Sequence, residues 1–360
     1  MYRAISSYQL DFHRRWGHLR RDPVRALAWL LDSPDLLDAD APEWSGRIAT
    51  LGQVTPAVAT WLAELDAEPS RLNAALGDKA YTRLGLYAEK LMAFYFAEQG
   101  RLVHHGLQVR ANRNDTVGEF DFLLAHGPGA LAHIEFATKF YLLDGGGANQ
   151  LDALVGPNLA DTLGLKMRKI FERQLALGNH PAAQALLPLP VTQAQALVKG
   201  WLFYPSGTWP TMQGITASHC RGFWCALAEL DTVPGTEFQI LPKLQWLAPL
   251  RTNSAAQTLA RPQLAAILTE QFNTSSTPVL IATVRTNDGY TEEVERGFIV
   301  PNDWRSRAAQ ARTAKPTCPP NRVRVELFDN FSACALIRPR VPPSGAADAT
   351  TNNEGQSRIV

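Results

Sequence analysis

Cysteine is scarce in this sequence: four residues among 360, at Cys220, Cys225, Cys318 and Cys334. None is spaced as C-x-x-C, so neither a disulfide scaffold nor the usual structural zinc spacing is available. Reduced, partly buried thiols are the expected state; a metal site from His219, Cys220 and Cys225 is the weaker alternative. Long apolar runs are missing as well. Nowhere do about eighteen apolar residues follow one another, which excludes a transmembrane helix by pattern. The opening MYRAISSYQLDFHRRWGHLRR holds no apolar signal core, so a cytoplasmic protein with no membrane partner is expected. Charge bias is also absent. A net charge of +1 gives no global field, and any nucleic-acid binding has to rest on local basic patches. There is no internal repeat.

What is present is an ordinary globular composition, 46% hydrophobic and 19% charged, on a chain long enough for a large core and for two domains. A helical region is expected over 1–81. Within it Asp22 and Pro23 read as N-cap and first helical position. Arg14, Arg15, Arg20 and Arg21, interleaved with His13, Trp16 and His18, read either as a phosphate-contacting arm with a stacking ring or, preferably, as the solvated face of an amphipathic helix. From Thr82 to Gln99 the apolar stripe Leu84, Ala88, Leu91, Met92 and Tyr95 predicts a helix ended by Gly100. Glu89 borders that stripe, either as an exposed partner of Lys90 or Arg83 or as an acid reaching inward.

The stretch VGEFDFLLAHGPGALAHIEFATKFYL, 117–142, organises the rest. Both arms alternate with period two: Glu119, Asp121 and Leu123 against Phe120, Phe122 and Leu124, then His133, Glu135, Ala137 and Lys139 against Ile134, Phe136, Thr138 and Phe140. The Gly- and Pro-rich AHGPGA predicts the turn. Pairing symmetric about Pro128 sets Asp121 opposite Glu135 and Glu119 opposite Ala137, with Cβ atoms roughly 4.5–5.5 Å apart. Two carboxylates so placed are a solvated face, a proton-sharing pair, or joint ligands of a hard cation. A preceding strand is expected at 102–110. A following helix is expected at 158–177, with Leu159, Leu163, Met167, Ile170 and Phe171 inward and Lys166, Lys169 and Arg173 on another face. A strand at 198–204 completes the order αβββαβ over 82–205. Beyond it, 206–340 reads as an α+β extension. Its strands are expected near 223–230, 238–247, 279–284, 298–300, 323–328 and 333–337, and its helices near 261–272 and 302–313. By composition, 341–360 is a disordered tail.

The helical Glu, GEFDFLL and IEFATK, in that order, resemble the PD-(D/E)XK nuclease superfamily, in the pattern of its Holliday-junction-resolvase-like and RecB-like domains. Over the whole chain, GPNLADTLGLKMRKIFERQL, KGWLFYPS, CRGFW and ILPKLQWLAPL look like the uncharacterised bacterial domain-of-unknown-function family numbered 1853, which is placed in that superfamily. The resemblance implies an α/β fold with a restriction-endonuclease-like core. It implies Asp121, Glu135 and the Phe136 carbonyl as ligands of Mg²⁺ or Mn²⁺, Glu89 as an auxiliary acid, and Gln174 as the glutamine of the following helix. Glu119 is a further acid nearby. The sequence departs from the pattern at the lysine. Ala137 occupies the E-x-K position, and Lys139 follows one strand repeat later, roughly 6.6–7 Å along, with Lys166 as its rival.

The implied activity is metal-dependent hydrolysis of DNA phosphodiesters, with Glu89, Asp121, Glu135 and Lys139 as the catalytic set. Lys166, Lys169 and Arg173 would be the backbone contacts. The displaced lysine keeps a second reading open, a nucleic-acid-binding or scaffold module without turnover. A glycosidase using Asp121 and Glu135 as its acid pair is the third.

Overall fold

The computed structural model describes residues 7–314 apart from 79, 114, 146–149, 206–209 and 254–256. The strands expected near 323–328 and 333–337, the tail at 341–360, and Cys318 and Cys334 lie outside the described residues.

The chain begins with helices α1 (Tyr8–Trp16), α2 (Asp22–Asp32), α3 (Pro56–Ala67), α4 (Ser70–Leu76) and α5 (Leu84–Glu98). Strands β1 (Leu102–Asn112), β2 (Asp115–Ala125), β3 (Leu131–Leu143) and β4 (Leu154–Val155) follow, then α6 (Leu163–Lys169), α7 (Pro181–Gln184) and β5 (Val191–Pro205). The remainder is β6 (Cys220–Ala226), β7 (Glu237–Ile240), β8 (Arg251–Asn253), β9 (Leu259–Ala260), α8 (Arg261–Thr274), β10 (Val279–Asn287), β11 (Tyr290–Val300) and α9 (Trp304–Ala314).

The amphipathic reading of the N-terminus holds. Ser7 caps α1 by accepting from Leu10 N at 3.3 Å, and Gln9, Phe12, His13 and Trp16 form its buried face. Trp16 is 1% exposed and therefore has no face left for a base. Arg15 pairs with Asp32 at 2.5 Å, and the main-chain N–H groups of Arg20 and Arg21 both donate to the Asp66 carboxylate. Asp22 lies one position inside α2, whose N-cap is Arg21.

The strands form one mixed sheet in the order β1-β2-β3-β5-β6-β11-β10-β7-β9, with β4 on the end of β3 and β8 on β11. The pairs β3·β5, β5·β6 and β6·β11 are parallel; the other pairings are antiparallel. The protein is thus mixed α/β, and strands of the 206–340 region continue the sheet that the 82–205 region begins. Alternation along β5 shows why two faces are buried. Leu197, Trp201 and Phe203 pack with side chains of α2 and α5, whereas Ala196, Val198, Leu202 and Tyr204 pack with Leu163, Met167 and Ile170 on the other face. The strand begins earlier than expected because the polar run VTQAQAL is held by β3 rather than by a hydrophobic pattern of its own.

Three other expectations are corrected. The segment before α6 is not helical from 158: Leu159 takes φ +60°, Gly156 N–H bonds Asp161 O at 2.9 Å, and Thr162 caps the helix through Leu165 N at 3.2 Å. The strand expected at 238–247 ends at Ile240, where Pro242 supplies no N–H and a single helical turn follows. The strand expected near 223–230 ends at Ala226, because Glu229 accepts from Ala226 N at 2.8 Å and starts a turn.

On the sheet face that carries the N-terminal helices, buried arginine substitutes for apolar packing beside Trp201, which stacks on Trp29 of α2. Arg296 is 0% exposed, pairs with Glu293 at 2.6 Å, donates to Ala248 O at 2.8 Å and to Trp246 O, and lies 4.2 Å over the Trp201 ring. Glu293 in turn accepts from Leu250 N at 2.9 Å. Removing one partner strands the other charge in the core, which typically costs about 3–5 kcal/mol. Glu293→Ala is therefore expected to lower the unfolding free energy by that amount, read as a lower urea midpoint at constant m; a change within about 0.5 kcal/mol would show that the pair contributes nothing to folding.

Candidate active site

The organising hairpin turns where glycine permits it. Gly127 and Gly129 both have positive φ, 66° and 72°, and His126 N bonds Ala130 O at 3.0 Å. Pairing is symmetric about Pro128: Ala125↔Leu131, Leu124↔Ala132, Leu123↔His133 and Phe122↔Ile134. Beyond Phe122 and Ile134 the ladder stops. Phe136 N–H donates instead to Asp121 Oδ2 at 2.9 Å, so a side-chain carboxylate occupies the place of the next main-chain acceptor.

The consequences run along both strands. Phe120 leaves the face it was expected to share with Phe122 and packs with Leu123, Leu131 and Leu177, its ring edge on His133 at 4.7 Å. Phe122 and Leu124 remain with α5. Glu119 does not meet Ala137; it is exposed and turns toward Gln108, whose Nε2 donates to it at 3.4 Å. The structure turns it away from the acid pair.

Asp121 and Glu135 are brought together, Asp121 half-buried and Glu135 buried at only 2% exposed. The solvated-face reading therefore fails. Burial first, and then the neighbouring Glu135 charge, pushes the Asp121 carboxyl up to about 7. Burial likewise raises Glu135 to about 7, against the opposing pull of Lys166. Glu135 Oε1 accepts from Gln174 Nε2. Its Oε2 is buried and meets no N–H donor among the described residues; His133 Nε2 stands 3.7 Å away, and burial keeps that imidazole neutral by lowering it to about 4. A proton shared with Asp121, or a cation, would satisfy Oε2.

Gln174 arrives through a defect in its helix. After Lys169 the chain widens by one residue, with Leu175 N bonding Ile170 O at 2.9 Å. In an unbroken helix residues eight apart are about 80° out of line; the extra residue rotates Gln174 onto the side of Lys166, whose Nζ donates to Gln174 Oε1 at 3.5 Å. Lys166 and Lys169 both act electrostatically on Glu135, while Arg173 is exposed.

Glu89 projects from α5 to the same place. Its partner is neither Lys90 nor Arg83 but His105 on β1, Nε2 to Oε1 at 2.7 Å, and its charge raises both acids further. His105 was not singled out from sequence. The signal was there in register form: it pairs with Phe122, one residue from Asp121, and stacks on that ring at 5.5 Å.

Lys139 lies on the Glu135 side of β3. Burial, followed by repulsion from Lys166, lowers its ammonium to about 8, with Asp161 and Glu135 opposing. Gly200 is its neighbour on β5, where a Cβ would come within 2.1 Å of Lys139 O; glycine is what lets β5 close against this stretch. The alternative metal cluster at His219 is excluded, because its Nε2 is shared with Tyr204 Oη at 2.7 Å and its Nδ1 with Thr216 O at 2.6 Å. Cys220 and Cys225 are free and buried.

Among the described residues no group of three or more His, Cys, Asp or Glu side chains stands close enough to hold a metal ion. The oxygens that converge are two carboxylates and a carbonyl. In an extended strand one residue's N–H and C=O face the same edge, so the Phe136 carbonyl shares the gap entered by Asp121. An oxygen-only donor set with a buried, unsatisfied Glu135 Oε2 suits a hard cation.

Fold and site together define a mixed α/β protein with a buried acid pair at the parting of two strands and lysines to one side. The chain belongs to the family described as a domain of unknown function, DUF1853, which matches residues 25–300. No curated protein and no solved structure matches the chain. Among the described residues no helix is long and apolar enough to cross a membrane.

The raised acids have a thermodynamic consequence. Carboxyl groups ionise near 4 in the unfolded chain and at about 7 here, so between those values the folded state binds more protons. Stability must then fall as pH rises from about 4 to about 7. In EDTA, the melting temperature should drop across that window. Asp121→Asn, which keeps an acceptor for Phe136 N–H, should flatten the drop and melt above the wild type at neutral pH, a gain of roughly 2 kcal/mol. A variant that is less stable at neutral pH and keeps the same pH slope would show that the pair is not strained.

Proposed function

We propose that the protein is a Mg²⁺- or Mn²⁺-dependent phosphodiesterase acting on DNA, built on a restriction-endonuclease-like αβββαβ core. The observation that carries the reading is the half-buried Asp121 carboxylate set against the buried Glu135 where β2 and β3 part. A structural role gives no reason to confine two repelling carboxylates there. The order α5, β1, β2, β3, α6, β5 supports it, with β1 to β3 antiparallel and β5 parallel to β3.

Asp121, Glu135 and the Phe136 carbonyl are the ligands in this reading. A bound divalent cation supplies positive charge that polarises a phosphate ester and eases ionisation of water. Gln174 fixes the orientation of Glu135 and is itself held by Lys166. Glu89, paired with His105, stands where it can receive a proton from a water on that side. Lys139, which meets no carboxylate within ion-pair distance among the described residues, offers its ammonium to the charge that develops on phosphorus. A lysine stem is long enough to lean back over the small Ala137, which would compensate for the displaced E-x-K position. Lys169 and Arg173, exposed on and beyond α6, would be the contacts to the backbone.

A nucleic-acid-binding module without turnover remains the competing reading, favoured by the same lysine displacement. Incubating the purified protein with linear, branched and single-stranded DNA plus Mg²⁺ or Mn²⁺ separates the two. Lys139→Ala is expected to reduce cleavage by about 10²–10³-fold and leave cation affinity nearly intact; loss of activity only in Lys166→Ala would transfer the role to Lys166. Binding should weaken steeply with salt, and Lys169→Ala should lower the slope of log K against log salt by about 0.9 on duplex DNA. A slope near zero would remove nucleic acid from the reading.

A further inference from the structure

From Glu135 to Tyr141 only β5 pairs with β3 among the described residues; β2 has parted and β4 joins at Leu142. The unpaired edge opens into a cleft of about 530 Å³, bounded by Thr138–Tyr141, the loop 156–161, the start of α5, the Ile240–Trp246 segment and Val279–Leu280. It therefore joins the acid-bearing strand to the region beyond residue 205, for which the sequence offered no chemical role.

The lining has a consistent chemistry. Lys139, Lys243 and Arg83 are its cations, and Asp161 is its carboxylate, already engaged by Tyr141 Oη at 3.0 Å. Trp246 forms part of the wall. Its indole N–H is taken by Leu241 O at 2.9 Å and its ring is braced by Phe140 and Phe298 at 5.5 and 5.2 Å. What Trp246 offers a ligand is thus a supported ring face without a free donor. Thr138 Oγ1 is buried and, among the described residues, unpartnered beside the same edge. Positive charge with an aromatic platform is how unpaired nucleic acid is bound without sequence readout.

Size selects among nucleic acids. The volume falls within the roughly 300–1,000 Å³ of small-ligand sites, enough for a nucleotide and far too small for a duplex, whose bases would have to be unpaired to enter. We infer that this cleft is the binding site for an unpaired strand of nucleic acid, with a base against Trp246 and backbone phosphates at Lys243 and Arg83. Lys139 joins this path to the acid pair. The inference rests on the phosphodiesterase reading for its direction but is tested without catalysis.

The test is fluorescence anisotropy of a labelled oligothymidylate and of the blunt duplex of the same sequence, both in EDTA with the full chain. The single strand is expected to bind at least about tenfold more tightly than the duplex. Lys243→Ala should reduce the salt slope by about 0.7. Trp246→Phe keeps a braced ring of smaller area and should weaken the single strand several-fold with little change in melting temperature. Equal or tighter binding of the duplex, no binding of the single strand, or unchanged single-strand affinity in both variants would overturn the inference. Single-strand binding by a wild type that cleaves nothing with Mg²⁺ or Mn²⁺ would remove the hydrolase and leave the cleft. Cleavage of duplex interiors without single-strand preference would do the reverse.

Discussion

The parallel ladder between β3 and β5 is the constraint on which the rest of the structure depends. It runs from Leu131↔Val191 to Leu142↔Phe203 and holds β3 along one edge for nearly its whole length. Because that edge is secure, the other can be released. The antiparallel hairpin with β2 needs only the four pairs nearest its turn, and the remaining edge is free for Asp121 to enter and for the cleft to open. Gly200 belongs to the same constraint, since any side chain there would force β5 away from the Lys139 carbonyl.

Electrostatics then works against folding at one place and for it at another. At the acid pair, burial and mutual repulsion favour protons over charge, and among the described residues the donors supplied are Phe136 N–H and Gln174 Nε2. Such an arrangement is stable without a ligand only at the expense of neutralising one carboxyl, which is how perturbed acids at functional sites commonly behave. At Arg296 and Glu293 the opposite holds: each buried charge finds its counter-ion and main-chain partners. Arg25 is comparable, donating to Trp16 O, Leu19 O and Pro249 O. These two arginines tie the N-terminal helices and the 246–250 segment to the sheet, which keeps Trp246 at the cleft wall.

Much of this was legible in the residues. Hydrophobic spacing located α5, the hairpin, α8 and α9, and the Gly–Pro turn fixed the register that sets Asp121 beside Glu135. Strand pairing follows from period-two alternation and a short turn, both local properties. The expected alternation broke at Phe120, which packs with Leu123, Leu131 and Leu177, a tertiary contact that local pattern does not encode. Likewise the helix expected from 158 failed at Leu159, whose left-handed backbone is sustained by the Gly156–Asp161 bond and its packing against the core.

The sequence by itself determined the mixed α/β class, the buried stripes and the pairing of two acids, since composition, period and turn chemistry act over a few residues. Only the tertiary structure decided that the acids are buried rather than solvated and that Glu89 turns to His105. It alone decided that an inserted residue swings Gln174 onto Glu135, and that the region beyond residue 205 continues the same sheet. Those outcomes depend on contacts between segments far apart in the chain, where desolvation and close packing, not local propensity, set the energy.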